Sequence, residues 1–466
     1  MKSFSLREHA PSILVASLSS AFGVAVLQFF GVLAQIIRAD DVTGSSDTVA
    51  FFLAFVGWVF IAIAVYTGAV VTSNTFSTII AGRTRTIALL RLIGSSARAQ
   101  RSAVAREGLI VGIVGATIGA VVGTGVTVGT VALGQASNFI PDLTFSFIDA
   151  SIVLPVITVV LTTWLASWVG SRRVLVVSPM QAIGASTEQS REEASASRGR
   201  SAAAAVLFGV GIGILVLSVL LGLVTPLAVL IGIVGGLLSF TGLVMGAHLV
   251  MPPALRLVGR LLGPGAASRL AAENAVRYPE RSSRTTIGLV IGVTLVTMFA
   301  VALQSYQNLL YSAYANDPTY YDGIDEALLL TVVIFSVLVG FSAVIAAVGM
   351  VNNLSLSVLQ RTRELGLLRA LGFTAKQVRS MILAESAQLT LASVLVGLVL
   401  GTFYGWAGAQ SLFGSINGSP GIVVPGIPLA FLAGVVVLAG VLTVSASVGP
   451  SRRATRIAPV AALAVE

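Results

Sequence analysis

The chain has 466 residues, of which 56% are hydrophobic and only 10% are charged, whereas about a quarter of the residues in soluble domains are charged. This composition excludes an ordinary soluble protein and indicates an integral membrane protein. The lack of cysteine excludes disulfide bonds, thiolate metal sites and cysteine nucleophiles. The net charge of +9 does not require nucleic acid, because membrane proteins collect basic residues in their cytoplasmic loops.

Ten apolar segments are long enough to cross a bilayer, which takes about 20 residues. The first of them is too long for the core of a typical cleaved signal peptide, so we expect a retained span. The predicted spans are residues 11–37, 48–72, 104–134, 150–170, 201–222, 226–250, 284–304, 327–357, 381–411 and 426–448. The expected fold is an all-α polytopic membrane protein with about ten transmembrane helices.

The charges between the spans predict the orientation. With a cytoplasmic N-terminus, ten spans place both termini in the cytoplasm, and every Lys and Arg except Arg38 then falls in or beside a cytoplasmic segment. Acidic residues mark the opposite side, at Asp40, Asp41, Asp47, Asp142, Asp149, Asp317, Asp322, Asp325 and Glu326. This asymmetry follows the positive-inside rule for multi-pass proteins.

The loops divide the chain into modules. Residues 184–200 are polar and rich in Ser and Ala, which is typical of a flexible linker. They separate a first transmembrane module (1–183) from an extra helix pair (201–250) and from a cytoplasmic elbow with a second transmembrane module (251–466). The longest outer loop, 305–325, is acidic and rich in tyrosine, and we expect an interfacial aromatic belt rather than a substrate contact. No large extracellular domain is expected, since domains below about 40 residues rarely fold alone.

A short basic segment interrupts the apolar pattern in each module. Residues 83–94 (RTRTIALLRLIG) align with 361–372 (RTRELGLLRALG) at a shift of 278 without a gap. The modules also end alike, with Ser-Arg-Arg, a proline and a final alanine in 171–182 and 451–462. Because both copies have the same orientation, the sequence predicts a parallel repeat about an axis along the membrane normal.

Each basic segment is predicted to form a short helix with an apolar stripe and cationic flanks. Such a helix either docks its stripe in the hydrophobic groove of a partner or lies on anionic lipid. Docking is favoured, because the duplication keeps a residue order that lipid binding does not need. The predicted docking residues are Arg83, Arg85, Leu89, Leu90, Arg91 and Gly94 in the first segment and Arg361, Arg363, Glu364, Leu367, Leu368, Arg369 and Gly372 in the second.

Glycines recur four residues apart in the span that follows each basic segment. Small residues at this spacing allow two helix backbones to approach closely in lipid. The predicted helix-packing residues are Gly115, Gly119 and Gly123 in the first module and Gly397, Gly401 and Gly405 in the second.

The sequence contains no phosphate-binding GxxxxGK[ST] loop, no HExxH and no GxSxG motif. The two histidines, His9 and His248, are far apart in sequence. We therefore expect neither an enzyme nor a metal or cofactor site on this chain. The span centres carry no ionisable residues, which argues against an ion-coupled secondary carrier, although sodium coupling through backbone carbonyls stays open in principle.

Residues 349–386 (GMVNNLSLSVLQRTRELGLLRALGFTAKQVRSMILAES) resemble the signature of FtsX-like permeases, the membrane subunits of MacB-type ABC transporters. Residues 273–286 (ENAVRYPERSSRTT) resemble the elbow that precedes the first span of such a module. The resemblance covers two modules, about 1–183 and 268–466. Ten spans in one chain resemble the permeases of bacitracin-efflux-type transporters, but the large outer domain of those proteins is missing here.

The resemblance implies that each basic segment is a coupling helix for a separate cytoplasmic ATPase, which binds ATP and Mg and is present in two copies. In the first copy Thr86 replaces the glutamate found at Glu364, and Ala88 replaces the glycine found at Gly366. We therefore expect two unequal docking sites.

The expected function is that of a permease subunit in the cell membrane of a bacterium. It would couple ATP hydrolysis by its partner to the export or outer-leaflet release of a hydrophobic or amphipathic peptide, lipid or drug. The alternative is a non-transporting regulator in which ATP hydrolysis only reshapes the spans, and the third possibility is a secondary carrier. The expected partners are the ATPase, membrane lipid and the substrate, without nucleic acid.

Overall fold

The computed structural model describes residues 6–38, 89–137, 140–147, 152–171, 198–261, 279–314, 367–415 and 421–456, apart from Arg91, and a few isolated positions elsewhere. This part of the chain forms nine α-helices and no strand. Within it, seven helices are long and apolar enough to cross a membrane, and a shorter apolar helical stretch covers Leu429–Ser445. The prediction of an all-α polytopic membrane protein is therefore confirmed.

Contacts within the chain divide it into two compact units, residues 1–187 and 188–466. The boundary falls inside the predicted linker at 184–200. Eight of the ten predicted spans coincide with described helices. The other two, 48–72 and 327–357, lie almost entirely outside the described residues.

The first unit contains α1 (Leu6–Arg38), α2 (Ala97–Ala136) and α3 (Val153–Gly170). Helix α2 packs against both α1 and α3. Small side chains make this possible: Ala16, Ala116 and Val159, one from each helix, form a buried apolar cluster. The three helices thus meet in a core of alanine and valine, as expected for close packing in lipid.

The second unit is built around one long helix. Its elements are α4 (Arg198–Leu221), α5 (Ala228–Met245), α6 (Ala247–Gly259), α7 (Pro279–Tyr314), α8 (Ala375–Phe413) and α9 (Leu429–Arg456). Helix α8 contacts each of the other five, and its most extensive partner is α7. Helices α4 and α5 pack on each other as a hairpin and also lie against α8.

The predicted span 226–250 is two helices rather than one. Gly246 ends α5 and caps α6, where buried residues recur on one face as His248, Met251, Leu255 and Val258. These buried residues lie on one face of α6, which is the face that packs against protein. Helix α6 accordingly packs on α7 and α8, and the side-chain amide of Gln388 donates a hydrogen bond to the Leu255 carbonyl at 2.8 Å.

Helices α2 and α8 begin at Ala97 and Ala375, earlier than the apolar runs predicted at 104 and 381. Hydropathy marks where the lipid-facing residues start, whereas the helix starts at its cap. Ser96 and Thr374 are these N-caps. The basic segments are therefore separated from the membrane helices by only a short turn.

Candidate functional site

The structure describes the C-terminal end of each basic segment. Leu89, Leu90 and Gly94 of the first segment and Leu367, Leu368, Arg369 and Gly372 of the second lie immediately before α2 and α8. The other predicted docking residues lie outside the described part of the chain, namely Arg83, Arg85, Arg91, Arg361, Arg363 and Glu364.

Both basic segments end in the same turn, which depends on a glycine. Gly94 and Gly372 each have φ of +100°, a conformation that L side chains rarely adopt. In the second segment the N–H of Phe373 donates to the Leu368 carbonyl at 3.1 Å, and the N–H of Gly372 donates to the Arg369 carbonyl at 3.1 Å. This pair of hydrogen bonds defines a Schellman helix terminus.

The first segment repeats this terminus at the equivalent positions. The N–H of Ser95 donates to the Leu90 carbonyl at 2.9 Å, which is the outer hydrogen bond of the same motif. Two residues after each glycine lies the N-cap of the next helix. The Ser96 hydroxyl accepts from the N–H of Ala99 at 3.1 Å, and Thr374 forms a reciprocal capping box with Gln377.

The terminus and the cap together leave two residues between a basic segment and its membrane helix, 95–96 in the first unit and 373–374 in the second. The backbone groups in these hydrogen bonds have their partners within a few residues of the turn. The shape of the turn therefore does not depend on a partner protein. A movement of the basic segment therefore acts on the chain close to the first turn of α2 or α8.

Large apolar side chains are exposed on both segments. In the first segment Leu89, Leu92 and Ile93 are 49%, 49% and 81% exposed. In the second, Leu367 and Leu371 are 51% and 71% exposed. Exposed leucines beside arginines are typical of a docking surface.

Leu368, predicted to dock, instead faces its own unit. It is half-buried and packs with Phe373 against a buried cluster of Val378, Met381 and Ile382 at the start of α8. The docking set did not include Leu371, Leu92 or Ile93. Helical periodicity finds an apolar stripe, but it does not tell which part of the stripe is covered by a neighbouring helix.

The glycines of α2 lie where this helix crosses α1. A Cβ added to Gly115 would lie 2.5 Å from the Ala16 Cβ, and one added to Gly123 would lie 2.5 Å from the Ala21 carbonyl oxygen. Gly119 lies between them, against the backbone of Ser17 and Ala21. The hydroxyl of Ser20 crosses the same contact and donates to the Ala116 carbonyl at 2.8 Å.

The glycines of α8 lie against α7 in the same manner. A Cβ added to Gly397 would lie 2.7 Å from the Val293 Cβ, and one added to Gly401 would lie 2.6 Å from the Thr294 carbonyl oxygen. One added to Gly405 would lie 2.5 Å from the Met298 carbonyl oxygen. Gly119 and Gly123 are equivalent to Gly397 and Gly401 at the shift of 278, so both units use matched glycines to bring the helix that follows a basic segment onto a neighbour, α1 in the first unit and α7 in the second.

A second matched feature lies at the opposite end of these helices. Residues 141–147 and 421–426 are non-helical segments whose backbone groups are held by polar side chains. The hydrogen bonds measure 2.6–3.3 Å. The side chains involved are Gln28 and Gln135 in the first unit and Ser305, Trp406 and Gln410 in the second. None of these five side chains was predicted from the sequence, because single Gln, Ser and Trp residues in apolar helices have no characteristic spacing.

Comparison with known proteins connects these features to a family. A family model described as FtsX-like permease C-terminal matches residues 58–179 and 336–459, which together make up more than half of the chain. Both matches contain a basic segment, its turn and the glycine-packed helix that follows.

Three curated relatives share part of the sequence. The uncharacterized ABC transporter permease YknZ of Bacillus subtilis (strain 168) is 32% identical over 149 residues, which cover 31% of this chain and 34% of the relative. The ABC transporter permease YtrF of the same organism is 30% identical over 122 residues, covering 25% and 28%. The macrolide export ATP-binding/permease protein MacB of Nitrobacter winogradskyi is 31% identical over 131 residues, covering 28% and 19%.

The matched part of this chain thus spans about a third or less of these relatives. The twofold match to the family model carries the assignment. Its two matched ranges correspond to the two structural units and to the repeat in the sequence. The chain belongs to the FtsX-like permease family.

Proposed function

We propose that this chain is the membrane permease subunit of an ABC transporter and works with two copies of a separate cytoplasmic ATPase, one on each basic segment. The observation that carries the proposal is the duplicated connection from an exposed, basic helix end, through a glycine terminus and a capped turn, into a glycine-packed span. A connection present in both copies fits a chain that receives force at two equivalent points.

The exposed leucines of both segments support docking to a protein. Leu367 and Leu371 present an apolar surface beside Arg369, so a partner groove with an acidic rim would satisfy both the apolar contact and the charge. The names of the relatives agree, since all three are ABC transporter permeases or ATP-binding/permease proteins.

The substrate we propose is hydrophobic or amphipathic, such as a peptide, a lipid or a drug, and is exported or released at the outer leaflet. Span centres without ionisable residues offer apolar surface and no ion relay. The relative MacB is named for macrolide export, and macrolides are of this chemical class. The membrane is the inner or plasma membrane of a bacterium, with both termini in the cytoplasm.

The proposal is tested on the complex in lipid nanodiscs, after co-expression with the ATPase encoded beside this chain. We expect Leu371→Asp and Arg369→Glu to prevent co-purification of the ATPase or to abolish its stimulation, because each change removes part of the docking surface. Val224→Asp is the control, since Val224 is 79% exposed in the turn between α4 and α5, and the neighbouring Gly222 lies against Gln410 and Ser411, at the end of α8 opposite to the second segment.

Normal assembly and normal ATP hydrolysis in both docking variants would exclude the proposal. Stimulated hydrolysis without movement of a fluorescent amphipathic substrate would favour a regulator that transmits conformational change without transport. Substrate movement driven by a sodium gradient in the absence of ATPase would favour a secondary carrier.

A further inference from the structure

The connection between basic segment and membrane helix differs in chemistry between the two units. We call residues 90–104 the first joint and residues 368–382 the second joint, which are equivalent at the shift of 278. Their backbones share the glycine terminus and the N-cap described above. Their side chains differ at the positions of Phe373, Val378 and Met381.

The second joint is apolar. Phe373, the residue directly after the turn glycine, packs with Leu368 against Val378, Met381 and Ile382, which are 0%, 3% and 4% exposed. An apolar contact across the end of a helix fixes the direction in which the chain leaves it. Here that contact joins the last turn of the basic segment to the first two turns of α8.

The first joint has polar or smaller side chains at three of these five positions, whereas Leu90 and Val104 stand in place of Leu368 and Ile382. Ser95 stands in place of Phe373, and Gln100 in place of Val378. The Gln100 side-chain amide donates to the Ser95 hydroxyl at 2.7 Å, and both residues are only half-buried. Met381 is matched by Ala103, which is also half-buried. A partly exposed hydrogen bond competes with water and contributes little stiffness.

We propose that the two joints transmit force unequally: the second coupling helix and α8 move as one body because Phe373 holds them together, whereas the first joint flexes. Phe373 is thus a positioning residue for coupling. The inference rests on the proposed function for its biological meaning, but the stiffness of the joints is measurable without it. It adds a second source of inequality between the units to the one expected from Thr86 and Ala88.

The lack of cysteine makes the joints accessible to site-directed spin labelling. Leu92 and Ala370 are equivalent, exposed positions in the last turns of the two basic segments. Labels are attached to Leu92→Cys and Ala370→Cys in the full chain in nanodiscs without ATPase. We expect the label at 370 to move more slowly than the label at 92.

Exchanging the side chains of the joints should exchange their mobility. In the Ala370→Cys background, Phe373→Ser should make the label as mobile as the one at 92, and Phe373→Leu should restore the slow spectrum. In the Leu92→Cys background, Ser95→Phe with Gln100→Val should slow the label. The leucine rescue separates the loss of apolar packing from general unfolding.

The complex with its ATPase supplies the second readout. Phe373→Ser should lower the stimulation of ATP hydrolysis at least about fivefold, the lower end of a typical coupling between sites. Ser95→Ala should change it by less than about twofold, because it removes only a water-exposed hydrogen bond.

Each outcome bears on one statement. Equal label mobility at 92 and 370 overturns the unequal joints. Normal ATPase stimulation in Phe373→Ser, with stimulation lost in Leu371→Asp, overturns the role of Phe373 in transmission. Unequal mobility with normal stimulation in both of these variants supports the stiffness difference and instead overturns the proposed coupling function.

Discussion

Gly372 and Gly94 have the same role for the same physical reason, which is conformational rather than steric. Each has φ of +100°, and among the described residues no atom lies within 4 Å of a Cβ added there. A side chain at either position would therefore meet backbone strain and no clash. The glycines are needed for the direction in which the chain leaves the basic segment.

The first prediction isolates that strain. Gly372→Ala should destabilise the protein by about 1–2 kcal/mol, the cost of an L residue in the left-handed region, and Gly372→Asn by less, because Asn tolerates that region. The measurement is the midpoint of thermal unfolding of the purified protein. Gly408→Ala is the control: Gly408 is helical and equally free of described neighbours, so alanine there should leave the midpoint unchanged or raise it.

At the scale of helices, the role of glycine is steric rather than conformational, because atoms of the neighbouring helix lie where a Cβ would be. Along α2, Gly119 lies against the backbone of α1, whereas Gly125 has no described atom within 4 Å of an added Cβ. The two residues belong to the same helix and the same apolar environment. They therefore separate the packing of a helix crossing from the general frequency of glycine in membrane helices.

The second prediction uses this pair. Gly119→Val should force α1 and α2 apart and cost about 1–3 kcal/mol, as overpacking does in other cores, while Gly125→Val should be tolerated. Thermal unfolding and the yield of monodisperse protein are the measurements. Equal losses in the two variants would contradict a special role for the crossing.

Polar contacts in an apolar environment hold the extra helix pair, α4 and α5, against α8. The hydroxyls of Ser239 and Tyr404 lie 2.9 Å apart, and Ser218 donates to Ser411 at 2.8 Å. The ring of Tyr404 also meets that of Phe240 edge-on, with centroids 6.2 Å apart. Both a hydrogen bond and aromatic packing therefore attach α5 to α8.

The third prediction distinguishes these two contributions. Tyr404→Phe removes only the hydroxyl and should cost about 0.6 kcal/mol, a typical value for a hydrogen bond between membrane helices. Tyr404→Ala also removes the ring and should cost about 3–5 kcal/mol, the range for aromatic truncation in a core. Thermal unfolding of the two variants side by side checks the difference, and similar losses in both would assign the contact to the hydroxyl alone.

Hydropathy and the internal repeat predicted the helices and their duplicated glycines, because both depend on local composition or on spacing. They did not predict the break at Gly246, the inward face of Leu368 or the hydroxyl of Ser239 opposite Tyr404. Each of these depends on which helix lies alongside, and contacts between helices join residues up to 193 positions apart. A single sequence contains no local signal for a partner at that distance.

At the scale of the whole molecule, the repeat assigns a common direction to both units. The charge pattern predicts that both basic segments face the cytoplasm and that residues 141–147 and 421–426 face outward. Ile422 is 81% exposed on the outward segment of the second unit, and Ile93 is equally exposed on the first basic segment. In the predicted orientation, these two residues lie on opposite sides of the membrane.

The fourth prediction tests this orientation in intact cells. Ile422→Cys should react with a membrane-impermeant maleimide added outside, whereas Ile93→Cys should react only after the cells are permeabilised. The unmodified chain has no cysteine and supplies the blank. Labelling of Ile93→Cys from outside would reverse the orientation and would place the proposed docking surfaces on the wrong side for a cytoplasmic ATPase.

The length of α8 has a mechanical consequence. Its 39 residues form a continuous helix about 58 Å long at 1.5 Å per residue, which exceeds the roughly 40–45 Å of a bilayer with its headgroups. Near one end it carries the second joint, and near the other end Trp406 and Gln410 hold residues 421–426. A tilt of about 10° around the middle of α8 moves each end by about 5 Å. Under the proposed function, an ATPase that pulls on the second joint would therefore also shift residues 421–426 at the other end of the helix.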